Sequence, residues 1–224
     1  MGQQKNIVNY SNVNIERSGK IILSDVCLTV SSGELVTIEG PIGSGKSTLF
    51  KTFYADLPVK SGDAQVLGFD LKGIPQRKVP KLRRQMGIVF QDYQLFNNKT
   101  VEGNLDFVIS SLDFKPPVDK QEYIQQILEK VGIPGKAGTF PHMLSGGERQ
   151  SVAVARAIVC NPGLVIADEP TGNLDEASAA HIAGLLASLA EEGAAVIVAT
   201  HDENAFKNLK HRTLFIQDNH LIEE

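Results

Sequence analysis

The chain has no tryptophan, two cysteines and three methionines among 224 residues. Cys27 and Cys160 lie far apart in separate apolar runs, so they do not form the framework of a disulfide-stapled scaffold. Both are expected to be buried, reduced thiols of a cytosolic protein. No run of about 18 apolar residues occurs, which excludes a membrane-spanning helix. Any membrane part of its work must come from another chain. The opening residues MGQQKN hold no apolar stretch, so no signal peptide is expected there. Positive charge is not in excess: 22 Lys and Arg face 26 Asp and Glu, for a net charge of -4. Without overall basicity, a nucleic-acid partner is not expected.

What is present is a large apolar fraction, 42%, enough for a substantial core in one large domain or two small ones. NIVNYSNVNIE and KIILSDVCLTV read as strands, SSGE as a turn and LVTIE (35–39) as a strand buried on both faces. STLFKTFYADL has helical spacing at Leu49, Phe53 and Leu57. DAQVLGFDL and MGIVFQD read as further strands, with a short basic helix, VPKLRRQ, between them. From Thr100 to about Val131 the pattern is helical, interrupted at Pro116-Pro117. Gly146 to Val159 reads as a mostly apolar helix. LVIAD and AAVIVAT are strands flanking an alanine-rich helix, and the chain closes with a hairpin turning at Asp218-Asn219. Strands alternating with helices predict an α/β fold with a parallel sheet. The block 100–160 breaks that alternation and predicts a helical subdomain.

Gly40 to Ser47, GPIGSGKS, fits the spacing G-x-x-x-x-G-K-[ST], with a strand before it and a helix after it. Gly40, Pro41, Ile42, Gly43, Ser44 and Gly45 would wrap the backbone around phosphates and present N–H groups to them. The helix starting near Lys46 adds its positive end. Lys46 neutralises β/γ-phosphate charge, the Ser47 hydroxyl can ligate Mg2+, and Thr48 helps hold the phosphates. A P-loop needs a second carboxylate for the metal. Asp168, at the end of LVIAD, sits where strand ends point at the site of an α/β sheet. Glu169 follows it and can polarise an attacking water.

Further motifs resemble those of ATP-binding cassette (ABC) ATPases, in that family's order and over nearly the whole chain. LSGGERQ (144–150) resembles the signature motif, FQD with Gln91 the Q-loop, GNLD with Asp175 the D-loop, and His201 in ATHD the switch histidine. The resemblance implies an ATPase with ATP and Mg2+ as its cofactors. It implies a P-loop NTPase core with a parallel sheet, an N-terminal antiparallel β subdomain and an α-helical signature subdomain. As one ABC domain over 1–224, the core and β subdomain would take 1–92 and 161–224, the helical part about 93–160. Ser145, Gly146 and Gly147 open a helix and form a second anion site. The resemblance implies that this site closes on the nucleotide of another copy, in an ATP-dependent head-to-tail homodimer. Asp175 would act across that interface, Gln91 on metal or water, and His201 on the γ-phosphate. Catalysis would fall to Lys46, Glu169 and His201, and metal binding to Ser47, Gln91 and Asp168.

The match departs at two places. Many relatives stack adenine on an aromatic residue where this chain has Arg17 or a neighbour. Arg17 either covers the base with its guanidinium plane or is a solvated loop charge. Ser151 stands where relatives often carry arginine. GERQ, ADEPTGNLD and LRRQMGIVFQDYQLFNNKTVEGNLDFVI resemble the branch serving lipoprotein release, efflux and cell division, the cell-division type most closely. That implies a peripheral subunit on the cytoplasmic face of the inner membrane, driving a permease-like partner of FtsX type and regulating cell-wall hydrolysis. The docking surface is expected over roughly 92–112, with Tyr93, Leu95, Phe96 and Val101 as candidates. The alternatives are a lipoprotein-release or efflux ATPase and a soluble regulatory ABC ATPase.

Overall fold

The computed structural model describes residues 5–223. It begins with β1 (Asn6–Arg17) and β2 (Lys20–Ser31), then β3 (Leu35–Glu39) and α1 (Lys46–Phe53). There follow β4 (Asp63–Val66), β5 (Phe69–Asp70), α2 (Val79–Arg83) and β6 (Met86–Val89). Three helices come next: α3 (Val101–Ser111), α4 (Lys120–Lys130) and α5 (Gly146–Ile158). The chain ends with β7 (Leu164–Asp168), α6 (Glu176–Glu191), β8 (Ala195–Ala199), β9 (Arg212–Gln217) and β10 (His220–Glu223).

Two sheets result. One is four-stranded and antiparallel, in the order β2-β1-β4-β5. The other is six-stranded, in the order β10-β9-β3-β8-β7-β6, and parallel except for the edge strand β10. The continuous apolar runs become its centre: β3 and β8 are buried at every position. Alternate side chains of β7 feed different cores, as a two-residue period requires. Val165 and Ala167 face a core shared with α3, α4, α5 and α6. Leu164 and Ile166 face a core shared with α1 and the antiparallel sheet. The parallel sheet therefore lies between a helical layer and a β layer.

Parallel pairing also aligns strand ends. Ile38 of β3 and Asp168 of β7 are both in register with Ala199 of β8. The loops after these strands, which carry Gly40–Ser47, Glu169 and His201, thus leave one edge side by side.

Four expectations need correction. Cys27 is exposed and Cys160 half-buried, rather than both buried. Cys27 alternates with buried Val26 and Leu28 on β2, so its side chain points out of the core. The helix after the glycine loop stops at Phe53 instead of reaching Leu57. Asp56 and Leu57 both donate to the Lys51 carbonyl, and Ala55 turns to a φ of 54°, which unwinds the chain. DAQVLGFDL is a hairpin, β4 and β5, because Leu67 and Gly68 take φ values of 53° and 79°, a tight-turn conformation. Val101, the first residue of α3, is fully buried, so it belongs to the core rather than to a docking surface.

Helix α5 lies tight against β6. A Cβ placed on Gly87 would stand 2.3 Å from the Ala157 carbonyl oxygen. Gly87→Ala is therefore expected to lose about 3 kcal/mol of stability, since backbone rather than a flexible side chain must yield. Urea unfolding of the two proteins measures this, and equal midpoints would mean that α5 moves away at no cost.

Candidate functional site

The glycine loop takes backbone angles that only glycine adopts readily. Gly40, Gly43 and Gly45 have φ values of 146°, 83° and 111°. Gly45 precedes α1 and offers no side-chain cap, and the first turn holds no acidic residue. The free N–H groups and positive dipole end of α1 therefore face the loop, a ready anion site. Lys46, the first residue of α1, is only 6% exposed. Its ammonium donates to the Gly40 carbonyl at 2.7 Å and to the Pro41 carbonyl at 3.3 Å, closing the loop on itself.

The same ammonium lies 3.6 Å from Oε1 of Glu169, whose side chain is 11% exposed. The other oxygen of Glu169 is 2.7 Å from Nδ1 of His201 and accepts from the His201 backbone N–H at 3.3 Å. Glu169 has a φ of 48°, unusual for a residue with a side chain, and its N–H donates to Ala199 at 2.8 Å. That turn aims its carboxylate into the site instead of along β7.

Burial and the neighbouring Glu169 carboxylate push the Asp168 carboxyl above its ordinary range, and a hydrogen bond from Ser47 works against them. Oδ1 of Asp168 is buried without a partner. A buried, partnerless carboxylate oxygen beside a second carboxylate and a serine hydroxyl suits a hard divalent cation. Mg2+ would satisfy that oxygen and relieve the repulsion, so Ser47 and Asp168 fit the metal.

A cleft of about 430 Å3 gathers Lys46, Ser47, Glu169 and His201, whereas Asp168 and the loop residues Gly40, Pro41 and Ser44 are not among its lining residues. Ile42, Gly43, Gly45, Lys46, Ser47 and Thr48 line one side. Arg17, Gln91, Glu169 and His201 line the rest, together with Ile22. The sequence reading missed Ile22, which looks like any strand residue; only the packing of β2 against the loop brings it here.

Ser145, Gly146, Gly147 and Asp175 do not line this cleft. They meet elsewhere, at the adjoining starts of α5 and α6. Ser145 accepts from the Glu148 N–H at 3.2 Å, and Glu148 accepts from the Ser145 N–H at 2.8 Å, a reciprocal cap. Asp175 accepts from the Ser178 N–H at 3.0 Å and from its hydroxyl at 2.7 Å, which holds the Asp175 carboxyl below its ordinary range. A Cβ on Gly147 would come within 2.6 Å of the Ser178 hydroxyl, so glycine lets the two helix starts touch. Ser151 is buried on α5, where a small side chain fits the core.

The loop after Gln91 is tied to α5. Tyr93 and Gln94 have φ values of 62° and 51°. Arg156 donates to the carbonyls of both, and the Arg149 guanidinium lies 5.3 Å from the Tyr93 ring centre. The loop that follows Gln91 is thus anchored to the helix that Ser145 caps.

Residues 23–172 match the family model described as ABC transporter. Proteins named cell division ATP-binding protein FtsE are similar along most of their length. The one from Streptococcus pneumoniae is 38% identical over 92% of this chain and 90% of its own. Those from Bacillus subtilis and Escherichia coli are 36% and 38% identical, over 92% and 91% of this chain and 90% and 91% of theirs. Among solved structures, the ATP-binding cassette MJ0796, in a dimeric post-hydrolysis state with ADP and phosphate, superposes with a TM-score of 0.83. It is 30% identical, with 96% of each chain covered. The cassette CbiO1 of Clostridium perfringens is also 30% identical, with a TM-score of 0.87 over 98% of this chain and 88% of its own. With Lys46 and Ser47 of the P-loop, the Glu169 carboxylate and the histidine gathered in one cleft, the chain belongs to the ABC transporter family and is an ATPase of the ABC type.

Proposed function

We propose that the chain is the nucleotide-binding subunit of a membrane complex of FtsE–FtsX type, working in cell division. The observation that carries the catalytic part is the place of Glu169 between Lys46 and His201. Lys46 and His201 both engage the Glu169 carboxylate, and Lys46 also the loop carbonyls. Arriving phosphates draw Lys46 away from Gly40, Pro41 and Glu169, and Thr48 and the α1 N–H groups bind them. Glu169 is then free to take a proton from the attacking water, with His201 orienting water and γ-phosphate. Ser47, Asp168 and Gln91 would hold Mg2+, which would supply charge neutralisation at the transferred phosphoryl group.

In this reading Ser145, Gly146, Gly147 and Asp175 serve the nucleotide of a second copy. Their position outside the chain's own cleft supports it. Two copies then pair head to tail on ATP and part after hydrolysis. The core and β subdomain take 1–92 and 161–224 in this reading, and the helical subdomain about 93–160.

Among the described residues no helix is long and apolar enough to cross a membrane. We assign the chain to the cytoplasmic face of the inner membrane as a peripheral subunit. A groove of about 410 Å3 between α2, β6, α3 and α5 supports docking there. Phe96 and Phe107, 37% and 43% exposed, meet edge to face in it at 4.7 Å. Arg83 and Arg84 line its other side. The loop carrying Phe96 is rigid: the buried Asn104 side chain accepts from the Phe96 N–H at 2.8 Å and donates to the Thr100 carbonyl at 2.9 Å. This suits a cytoplasmic helix of the permease with apolar and acidic residues. Tyr93 and Leu95, half-buried against the helical core, support the groove from behind.

Purifying the Glu169→Gln chain from detergent-solubilised membranes with ATP, followed by mass spectrometry, tests the partner. A single small permease of FtsX type is expected. A permease with a large extracytoplasmic domain would move the chain to lipoprotein release or efflux. Recovery without any membrane protein would overturn the membrane reading.

A further inference from the structure

We infer that Arg17 reads the base of the nucleotide, and that the cleft accepts guanine at least as readily as adenine. This rests on the nucleotide reading of the cleft above. The phosphates occupy the end built by Gly43 to Thr48, beside Gln91, Glu169 and His201. Besides Ile42 in the loop itself, Arg17 and Ile22 are the lining residues outside that end. They come from β1 and β2, the two arms of one hairpin. Ile22 touches the loop itself: its Cγ2 is 2.8 Å from where a Cβ of Gly45 would lie. A base leaving the loop therefore arrives on the hairpin end.

Ile22 offers apolar contact, which is the same for any purine. Arg17 is exposed and has no hydrogen-bond or ion-pair partner among the described residues. Its neighbour Glu16, by contrast, is held at 2.9 Å by Lys60. A free guanidinium presents five donors and no acceptor. Guanine offers it two acceptors side by side, O6 and N7. Adenine offers N7 alone, next to an amino group that is itself a donor. A guanidinium lying flat on the base gains equally from either purine. In neither geometry does adenine have an advantage. Strong rejection of one purine needs a group dedicated to its own edge. The other side chains here able to accept from the adenine amino group, among them Gln91, Glu169 and His201, stand at the phosphate end.

The test is kcat/KM for ATP, GTP, ITP and 7-deaza-GTP with the full chain. Affinities are measured alongside, by competition against a fluorescent ADP. The expected GTP:ATP ratio lies between one and about ten, since one good bidentate contact is worth a factor of that order. ITP, which keeps O6 and N7, should follow GTP, and 7-deaza-GTP should fall toward ATP. Arg17→Ala should lower the GTP values several-fold more than the ATP values. An ATP preference above about threefold in the parent would overturn the inference while leaving the nucleotide site intact. So would an equal loss for both nucleotides in Arg17→Ala, which would assign the guanidinium to a phosphate. Failure to bind either nucleotide would sink the reading of the cleft along with it.

Discussion

Glu169→Gln is expected to hydrolyse ATP at least about a hundredfold more slowly than the parent while still binding it. The amide keeps the size of the side chain but cannot take the proton of an attacking water. Binding should not suffer, because removing a negative charge 3.6 Å from the Lys46 ammonium leaves that cation freer for phosphate. Unhydrolysed ATP should then hold two copies together, so the variant should elute as a dimer with Mg-ATP and as a monomer without it. A second effect follows at Asp168. Burial and the Glu169 charge hold its carboxyl above the ordinary range, and the metal needs it deprotonated. Mg-dependent ATP binding by the parent should weaken as pH falls through that raised pKa. In Glu169→Gln one of the two causes is gone, so the loss should begin at lower pH. Steady-state hydrolysis, gel filtration and binding titrations from neutral to mildly acid pH read all three. Turnover equal to the parent's would place the base elsewhere.

Lys46→Ala is expected to abolish the stabilisation that Mg-ATP gives the fold. A ligand at a hundred times its Kd adds about 2.7 kcal/mol. For a chain of this size that raises Tm by roughly 5–10 °C. Without the ammonium, the loop keeps its N–H groups but loses a buried positive charge. Glu169 also loses a charge partner and would repel them. The variant's Tm should therefore not move with Mg-ATP, and its turnover should vanish. A full nucleotide-induced shift in Lys46→Ala would mean that the backbone cradle and α1 dipole suffice. Without nucleotide the variant should still fold, since Glu169 retains His201.

The legible parts of the site share one property: each is a contiguous motif. GPIGSGKST, ADEP and LSGGERQ carry their backbone requirements and their chemistry in consecutive residues. A strand before and a helix after place the first, the end of a strand the second and a helix start the third. Long apolar runs announced β3, β7 and β8 for the same reason, being buried on both faces. Reading failed where a residue's surroundings come from distant chain. Val101 looks like an exposed helix start but is roofed by the helical core. Cys27 sits in an apolar run, yet strand alternation turns it outward. Gly87 reads as an ordinary strand glycine until α5 is laid within 2.3 Å of its absent Cβ.

By itself, then, the sequence determined the α/β alternation, the phosphate loop, the two carboxylates at the end of β7 and the histidine after β8. Their chemistry follows from residue type and short spacing, which folding does not alter. Tertiary structure alone decided which of them meet. Parallel register brings the ends of β3, β7 and β8 to one edge, so that Glu169 bridges Lys46 and His201. The packing of α5 against α6 keeps Ser145 and Asp175 together and away from that cleft. The turn of a β hairpin, far from any motif, sets Arg17 and Ile22 beside the loop. Contacts between residues remote in sequence depend on strand order and helix packing, which are properties of the whole chain and of no single segment.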